Sequence, residues 1–210
     1  MIKKIGIIGT GDVGTTLGNA WKYAGYDVVL GSRKPGNIKK EILPVKSLNE
    51  AAEHGELIVN TTPGEVALNV LKKIDPELLT NKVLIDISVG LSGDYSSLIY
   101  QVESGAELIQ NNFPNSKVVK TLCTMTSTIM VNPGLLEKPT TAFLSGNDPE
   151  SKVITSHLLN DLGWPKSSLL DLGNIQTARG QEHFAMLYFA LTESLDSYNF
   201  NIKVYTEKNK

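Results

Sequence analysis

Along its first 145 residues the chain alternates short, β-branched apolar runs with longer stretches in which apolar residues recur at helical spacing. The runs at 4–8, 28–31, 57–60, 83–87, 117–121 and 140–144 read as strands. Most are continuously apolar, as strands covered on both faces must be. Residues 13–24, 48–53, 65–73 and 95–108 read as the intervening helices. Such alternation predicts an α/β layer fold with a parallel sheet wrapped by helices. The pattern changes at Ser145-Gly146-Asn147-Asp148-Pro149, a cluster of turn formers. Beyond it come an amphipathic run at 151–162, a short strand near 169–172 and a long helical stretch at 175–198. A boundary here divides the chain into residues 1–145 and a small, mostly helical C-terminal appendage, 146–210. The appendage is too short for a robust core of its own and is expected to pack on the first part or on a second subunit.

Composition narrows the function. The 210 residues include 20 Lys and Arg against 22 Asp and Glu, a near balance that argues against nucleic acid as a partner. The longest apolar stretches, such as 184–191, fall far short of the ~20 residues of a bilayer crossing. Glycines and Asp12 interrupt the N-terminal apolar run before it could form a secretory h-region. Cys123 has no second cysteine to pair with, so a reducing, cytoplasmic setting is expected. His54, His157 and His183 are too scattered for a metal site, and no nucleophile elbow or Walker loop occurs.

The sharpest feature is Gly9-Thr10-Gly11-Asp12-Val13-Gly14, a full G-x-G-x-x-G between an apolar strand and a helix. Gly9 allows the tight turn, Gly11 clears the approach of a pyrophosphate, and Gly14 lets the helix sit close to its strand. Unpaired N–H groups and the helix dipole then attract the phosphates. In this context the motif predicts a Rossmann doubly wound sheet binding a dinucleotide; the bland alternative is a glycine-rich turn without a ligand. Where an NAD site would place a carboxylate, at the end of the second strand, this chain has Gly31-Ser32-Arg33-Lys34. A hydroxyl and two cations suit a 2′-phosphate, with Arg33 able to pair with it or stack on adenine and Lys39 and Lys40 adding positive field. The cofactor expected is therefore NADP, against an ordinary solvated basic loop. Asn60-Thr61-Thr62-Pro63-Gly64 closes the third strand, where Thr62 and Pro63 would line the ribose and nicotinamide side. The loop Ser88-Val89-Gly90-Leu91-Ser92-Gly93 either leaves room for a substrate or is a flexible turn.

In order along the chain, the glycine motif, Gly31-Ser32-Arg33, Thr62-Pro63, Val118-Val119-Lys120 running into Thr124, and Gly146-Asn147-Asp148-Pro149-Glu150-Ser151-Lys152 resemble the NADP oxidoreductase, coenzyme F420-dependent family. The likeness covers essentially the whole chain, and its specificity rests on the order of the later motifs. It implies that Thr10, Gly11, Asp12 and Val13 hold the pyrophosphate and that Ser32 and Arg33 hold the 2′-phosphate. It further implies that Thr62, Val66 and Val89 flank the nicotinamide half, and that the backbone at Ser127 contacts the carboxamide. The activity implied is hydride transfer between NADP(H) and a small-molecule redox partner, a deazaflavin (coenzyme F420) or related flavin-like acceptor. Two departures stand out. Asn37 occupies a position where members often carry a basic residue, and residues 121–127 replace the apolar, proline-containing stretch expected beneath a deazaflavin.

In the tail, Arg179 falls near a helix start, where the dipole does not favour a cation. It calls for an anionic ligand or for a structural partner such as Glu182 or Asp171. His183 shares its face. Cys123 is either a reactive thiol near the nicotinamide or a buried structural cysteine. Phe184, Leu187, Tyr188, Leu191 and Leu195 recur at helical spacing and suggest a homodimer. Hydride transfer needs no protein nucleophile, which fits the lack of an acid–base pair. Competing readings are a non-catalytic NADPH-binding sensor and an imine or ferric reductase on the same Rossmann domain. The long helical dimerisation domain of pyrroline-carboxylate reductases has no counterpart after residue 145.

Overall fold

The computed structural model describes residues 2–37 and 43–207. Lys39 and Lys40, expected near the 2′-phosphate, lie outside these residues. Among the described residues the strands are Lys4–Ile8, Asp27–Ser32, Val45–Ser47, Leu57–Asn60, Val83–Asp86, Lys117–Thr121, Ala142–Gly146 and Leu169–Asp171, here β1 to β8. They form one sheet in the order β3-β2-β1-β4-β5-β6-β7-β8. The helices are α1 (Asp12–Tyr23), α2 (Leu48–His54), α3 (Gly64–Leu71), α4 (Gly105–Asn112), α5 (Ser127–Val131), α6 (Pro149–Asp161) and α7 (Ala178–Leu195).

The alternation of side chains along each strand divides the core into two layers. Ile5, Ile7, Val28, Leu30, Leu57, Val59, Val83 and Ile85 face a cluster completed by Leu17 and Trp21 of α1, Ile129 and Met130 of α5, and Leu158 and Leu159 of α6. Their neighbours Ile8, Val29, Ile58 and Leu84 point the other way, onto Ala51 of α2, Val70 and Leu71 of α3, and Ile109 of α4. Helices thus cover both faces, and the continuously apolar strands are explained. The order reverses between β1 and β4, since β1 pairs with both β2 and β4. That switch point opens a crevice at the carboxyl ends of the strands.

Several elements depart from the pattern read in the sequence. The sheet is parallel from β1 to β6, but β7 runs antiparallel to β6, and β8 runs parallel to β7. The chain leaving β6 enters the short α5 beside α1 and returns to the sheet from the same end. Residues 95–108 do not form one helix: only Gly105–Asn112 is helical. Asp94 Oδ1 accepts from Ser92 Oγ at 2.6 Å, Ser96 N at 3.1 Å and Ser96 Oγ at 2.8 Å, and Tyr95 takes a positive φ of 59°. These local bonds compete with helix formation until Ser104 and Glu107 close a capping box that starts α4. The edge strand β3, three residues long, and α5, five residues long, carried too little periodicity to be read.

Trp21 joins the two halves of one layer: it is fully buried and its Nε1 donates to Leu158 O at 3.2 Å. Trp21→Ala is expected to lower unfolding free energy by about 3–5 kcal/mol in urea titration. Tyr23→Ala, two positions on and 79% exposed, is expected to stay within about 0.5 kcal/mol of the wild type.

Candidate functional site

A cleft of about 1020 Å³ lies at the carboxyl edge of the sheet, over the switch point. Its centre is the turn from β1 into α1. Gly9 has φ +126°, a conformation closed to most side chains, and a Cβ there would meet Thr61 Oγ1 at 2.5 Å. At Gly14 a Cβ would lie 2.6 Å from Thr61 Oγ1 and 2.7 Å from Gly9 O. At Gly11 a Cβ would touch no protein atom within 4 Å and would project into the open cradle. Gly11 is also the N-cap of α1 and has no side chain to satisfy the first-turn N–H groups. An uncapped helix start beside an empty cradle fits a pyrophosphate.

One end of the cleft is polar and cationic, bordered by Ser32, Arg33 and Lys34 from the end of β2. The other is largely apolar, with Ile87, Val89, Leu91, Met125 and Met130 in its walls beside Ser88 and Cys123. Between them stand Thr61, Thr62, Pro63, Gly64 and Val66, at the end of β4 and the start of α3. Of the residues expected from the sequence, the fold brings Gly9, Thr10, Gly11, Asp12, Val13, Ser32, Arg33, Thr62, Pro63, Val66 and Val89 to this one cleft. Gly14 lies behind it against Gly9, and Ser127 begins α5 without bordering the cleft. Leu48, Val70, Lys73, Met125 and Met130 also line it and were not singled out in the sequence.

Beneath the apolar end runs a polar ladder. Asn60, Asp86, Lys120 and Ser145 are direct neighbours across β4, β5, β6 and β7, so their side chains share one face. Lys120 Nζ donates to Asp86 Oδ2 at 2.8 Å and to Ser88 O, and pairs with Glu182 Oε1 at 2.9 Å. Asp86 Oδ1 accepts from Asn60 Nδ2 at 2.7 Å and Ser88 Oγ at 2.8 Å, while Asn60 Oδ1 accepts from Thr62 Oγ1 at 2.7 Å. Glu182 in turn accepts from Gly105 N at 2.8 Å and Ala106 N at 3.2 Å, so a buried carboxylate sits at the positive end of α4. Gln181 Nε2 donates to Ser145 Oγ at 2.8 Å, locking α7 onto the same row. Burial alone would drive the Lys120 ammonium toward its neutral form; the Asp86 and Glu182 carboxylates outweigh it and leave its pKa raised. A lysine inside the otherwise apolar run Val118-Val119-Lys120 was the available signal for this network.

Arg179 needs no ligand, and its partner is neither Glu182 nor Asp171. It forks onto Glu107, Nε to Oε2 at 2.8 Å and Nη2 to Oε1 at 2.6 Å. His183 is exposed, and its Nδ1 bonds the Arg179 carbonyl at 2.8 Å. Cys123 does face the cleft, because buried Leu122 takes a left-handed φ of 58° that turns the chain out of β6. Burial pushes its thiol up to about 12, against the pull of the nearby Lys120 charge. The side chain is therefore a neutral wall residue, not a thiolate. Among the described residues no helix is long and apolar enough to cross a membrane.

A doubly wound sheet with an open glycine cradle and a cationic second-strand end defines a dinucleotide-binding protein of the Rossmann type. Comparison with known proteins agrees. The family model of NADP oxidoreductases, coenzyme F420-dependent, matches residues 4–90. The F420-dependent NADP reductase of Methanocaldococcus jannaschii is 27% identical over 96% of this chain and 97% of its own. A crystal structure of a protein from Arthrobacter sp. FB24, assigned as an F420-dependent NADP-reductase, superposes with a TM-score of 0.90 at 33% identity over 98% of this chain and 100% of that one. The metalloreductase STEAP3 of Rattus norvegicus is 26% identical over 85% of this chain but only 36% of its own length. An imine reductase from Streptomyces aurantiacus, 14% identical with a TM-score of 0.67, shares the fold. The chain belongs to the NADP oxidoreductase, coenzyme F420-dependent family and is an NADP-dependent oxidoreductase.

Two outcomes follow from the buried charges. Lys120→Met leaves two carboxylates buried without their cation and is expected to cost about 3–5 kcal/mol in urea unfolding. Because the folded-state pKa of Lys120 is raised, its contribution is fully present below the ~10.4 of an unfolded lysine and is lost as pH rises through the folded value; in the variant the stranded carboxylates gain by taking up protons, so the deficit should shrink as pH falls. Cys123, with its thiol near 12, should react with iodoacetamide at neutral pH on the order of a hundredfold more slowly than a free cysteine of pKa ~8.5.

Proposed function

We propose that the protein transfers hydride between NADP(H) and a deazaflavin of the coenzyme F420 type. The observation that carries this reading is the polarity of the cleft, cationic at the β2 end and largely apolar where the reacting rings would meet. Bound NADPH supplies a hydride donor at its nicotinamide. Thr10, Gly11, Asp12 and Val13 would hold the pyrophosphate at the uncapped start of α1, and Ser32 and Arg33 the 2′-phosphate. Thr62, Pro63, Val66 and Val89 would flank the nicotinamide half, with the backbone at Ser127 meeting its carboxamide. Among the described residues, the walls at the apolar end offer hydroxyl, thioether and neutral thiol groups but no carboxylate, imidazole or amine, as suits a reaction that needs proximity and a dry pocket rather than an acid–base pair. Residues 121–127 depart from a proline-containing stretch, yet Met125 and Met130, 6% and 4% exposed, still give an apolar wall that a flat ring system can lie against.

Residues 1–145 would bind NADP in this scheme, while 146–210 would help cover the second substrate and form a homodimer contact. In support, Phe189 of α7 packs against Tyr95 of the loop after β5 with ring centroids 5.8 Å apart. Leu187 and Leu195 of the same helix stay 53% and 55% exposed, as a face awaiting a second copy would be. The single cysteine suits a reducing, cytoplasmic setting.

Stopped-flow oxidation of NADPH by a deazaflavin, with flavin, quinone, ferric and imine acceptors in parallel, tests the reading. Turnover is expected with the deazaflavin; tight NADPH binding with no turnover on any acceptor would instead mark a sensor. Arg33→Asp should weaken NADPH at least about tenfold, or ~1.4 kcal/mol, and leave NADH little changed.

A further inference from the structure

We infer that Lys73 is a specificity-determining cation for the 2′-phosphate of NADP, facing Arg33 across the adenosine end of the cleft. The inference rests on the reading of that end given above. A side pocket of about 270 Å³ opens there, bordered by Ser32, Arg33, Ser47, Leu48, Asn49 and Lys73. Both Arg33 and Lys73 also border the main cleft. They come from different elements: Arg33 follows β2, and Lys73 lies two residues past the end of α3. It is the fold, not sequence proximity, that gathers them.

Among the described residues no carboxylate borders this side pocket. Neither cation makes an ion pair among the described residues. Like charges around one hollow repel, and no described residue of its wall offsets them. The counter-charge that fits comes from a ligand. Hydroxyl and amide side chains of Ser32, Ser47 and Asn49 complete a wall rich in hydrogen-bonding groups, with Leu48 as an apolar surface for a purine. A phosphomonoester carries about −1.5 to −2 at neutral pH and offers three acceptor oxygens. The two cations suit it differently. The planar Arg33 guanidinium can stack on the adenine as well as pair, whereas the Lys73 ammonium acts as a compact point charge. With Arg33 free to stack, Lys73 carries much of the discrimination between a phosphorylated and an unphosphorylated ribose.

Both side chains are exposed, so their charges can be reversed without disturbing the core. The test titrates the full-length protein with adenosine 2′,5′-bisphosphate and with 5′-AMP, following heat of binding. Lys73→Glu should weaken the bisphosphate at least about tenfold and 5′-AMP by less than about twofold. Lys72→Glu makes the same charge change one residue away, at an exposed side chain that borders neither pocket, and should alter neither affinity by more than about twofold. Unchanged bisphosphate affinity in Lys73→Glu, with a loss in Arg33→Asp, would overturn the role of Lys73 and leave the cofactor reading standing. Equal losses of both ligands in Lys73→Glu would overturn it too, as a general field effect. No loss in either variant would overturn the adenosine-end reading itself.

Discussion

A lysine that water cannot reach, held between two carboxylates that water cannot reach, fixes the carboxyl edge of the sheet on which the cleft is built. Lys120 is fully buried, as is Asp86, and Glu182 is 2% exposed. Removing three charges from water costs several kcal/mol per ion, recovered only if every lone pair and proton finds a partner. Here the register of β4, β5 and β6 supplies the partners: Asn60, Asp86 and Lys120 stand side by side, so the hydrogen bonds run along one row. The surplus negative charge is met by the start of α4, whose first N–H groups point at Glu182. The row reaches the cleft at both Thr62 and Ser88, which lie in its wall. Any shift in strand register would separate these groups and leave charges unpaired, so the network specifies the alignment of the strands as well as the loops above them.

The glycine turn is the complementary constraint, one of shape instead of charge. Gly9 and Gly14 are required by protein atoms, since Thr61 and the Gly9 carbonyl already occupy the space a side chain would need. Gly11 is different. No protein atom excludes a side chain there, so its absence keeps room for something the protein does not itself contain. One motif thus holds two close contacts within the fold and one opening toward a ligand.

Features that depend on local spacing were legible in the sequence. The strands β1, β4 and β6, the turn into α1, and the cation-rich end of β2 all sit within a few residues of where their patterns placed them. What escaped depended on distance. Arg179 was read beside its neighbours in sequence, but its partner Glu107 comes 72 residues earlier, in a helix whose start the turn-forming serines had displaced. The reversal at β7 follows from where α5 packs, and five residues of helix carry no readable period. Lys73 carried no signal beyond closing the helical stretch 65–73; only the pairing of β1 with both β2 and β4 brings the following helix toward Arg33.

The two ends of the cleft also handle charge in opposite ways, a difference that would orient a cofactor. At the β2 end Arg33 and Lys73 are exposed and make no ion pair among the described residues, so an incoming phosphate would gain a partner without first breaking a salt bridge. At the other end the charged groups are already matched to one another below the surface. The wall itself presents Met125, Met130 and a Cys123 thiol held in its neutral form by burial. A thiolate at that position would be a nucleophile beside an electrophilic oxidised ring. This end therefore presents apolar side chains and a neutral thiol, and a bare phosphate has no cation to meet there among the described residues that line it.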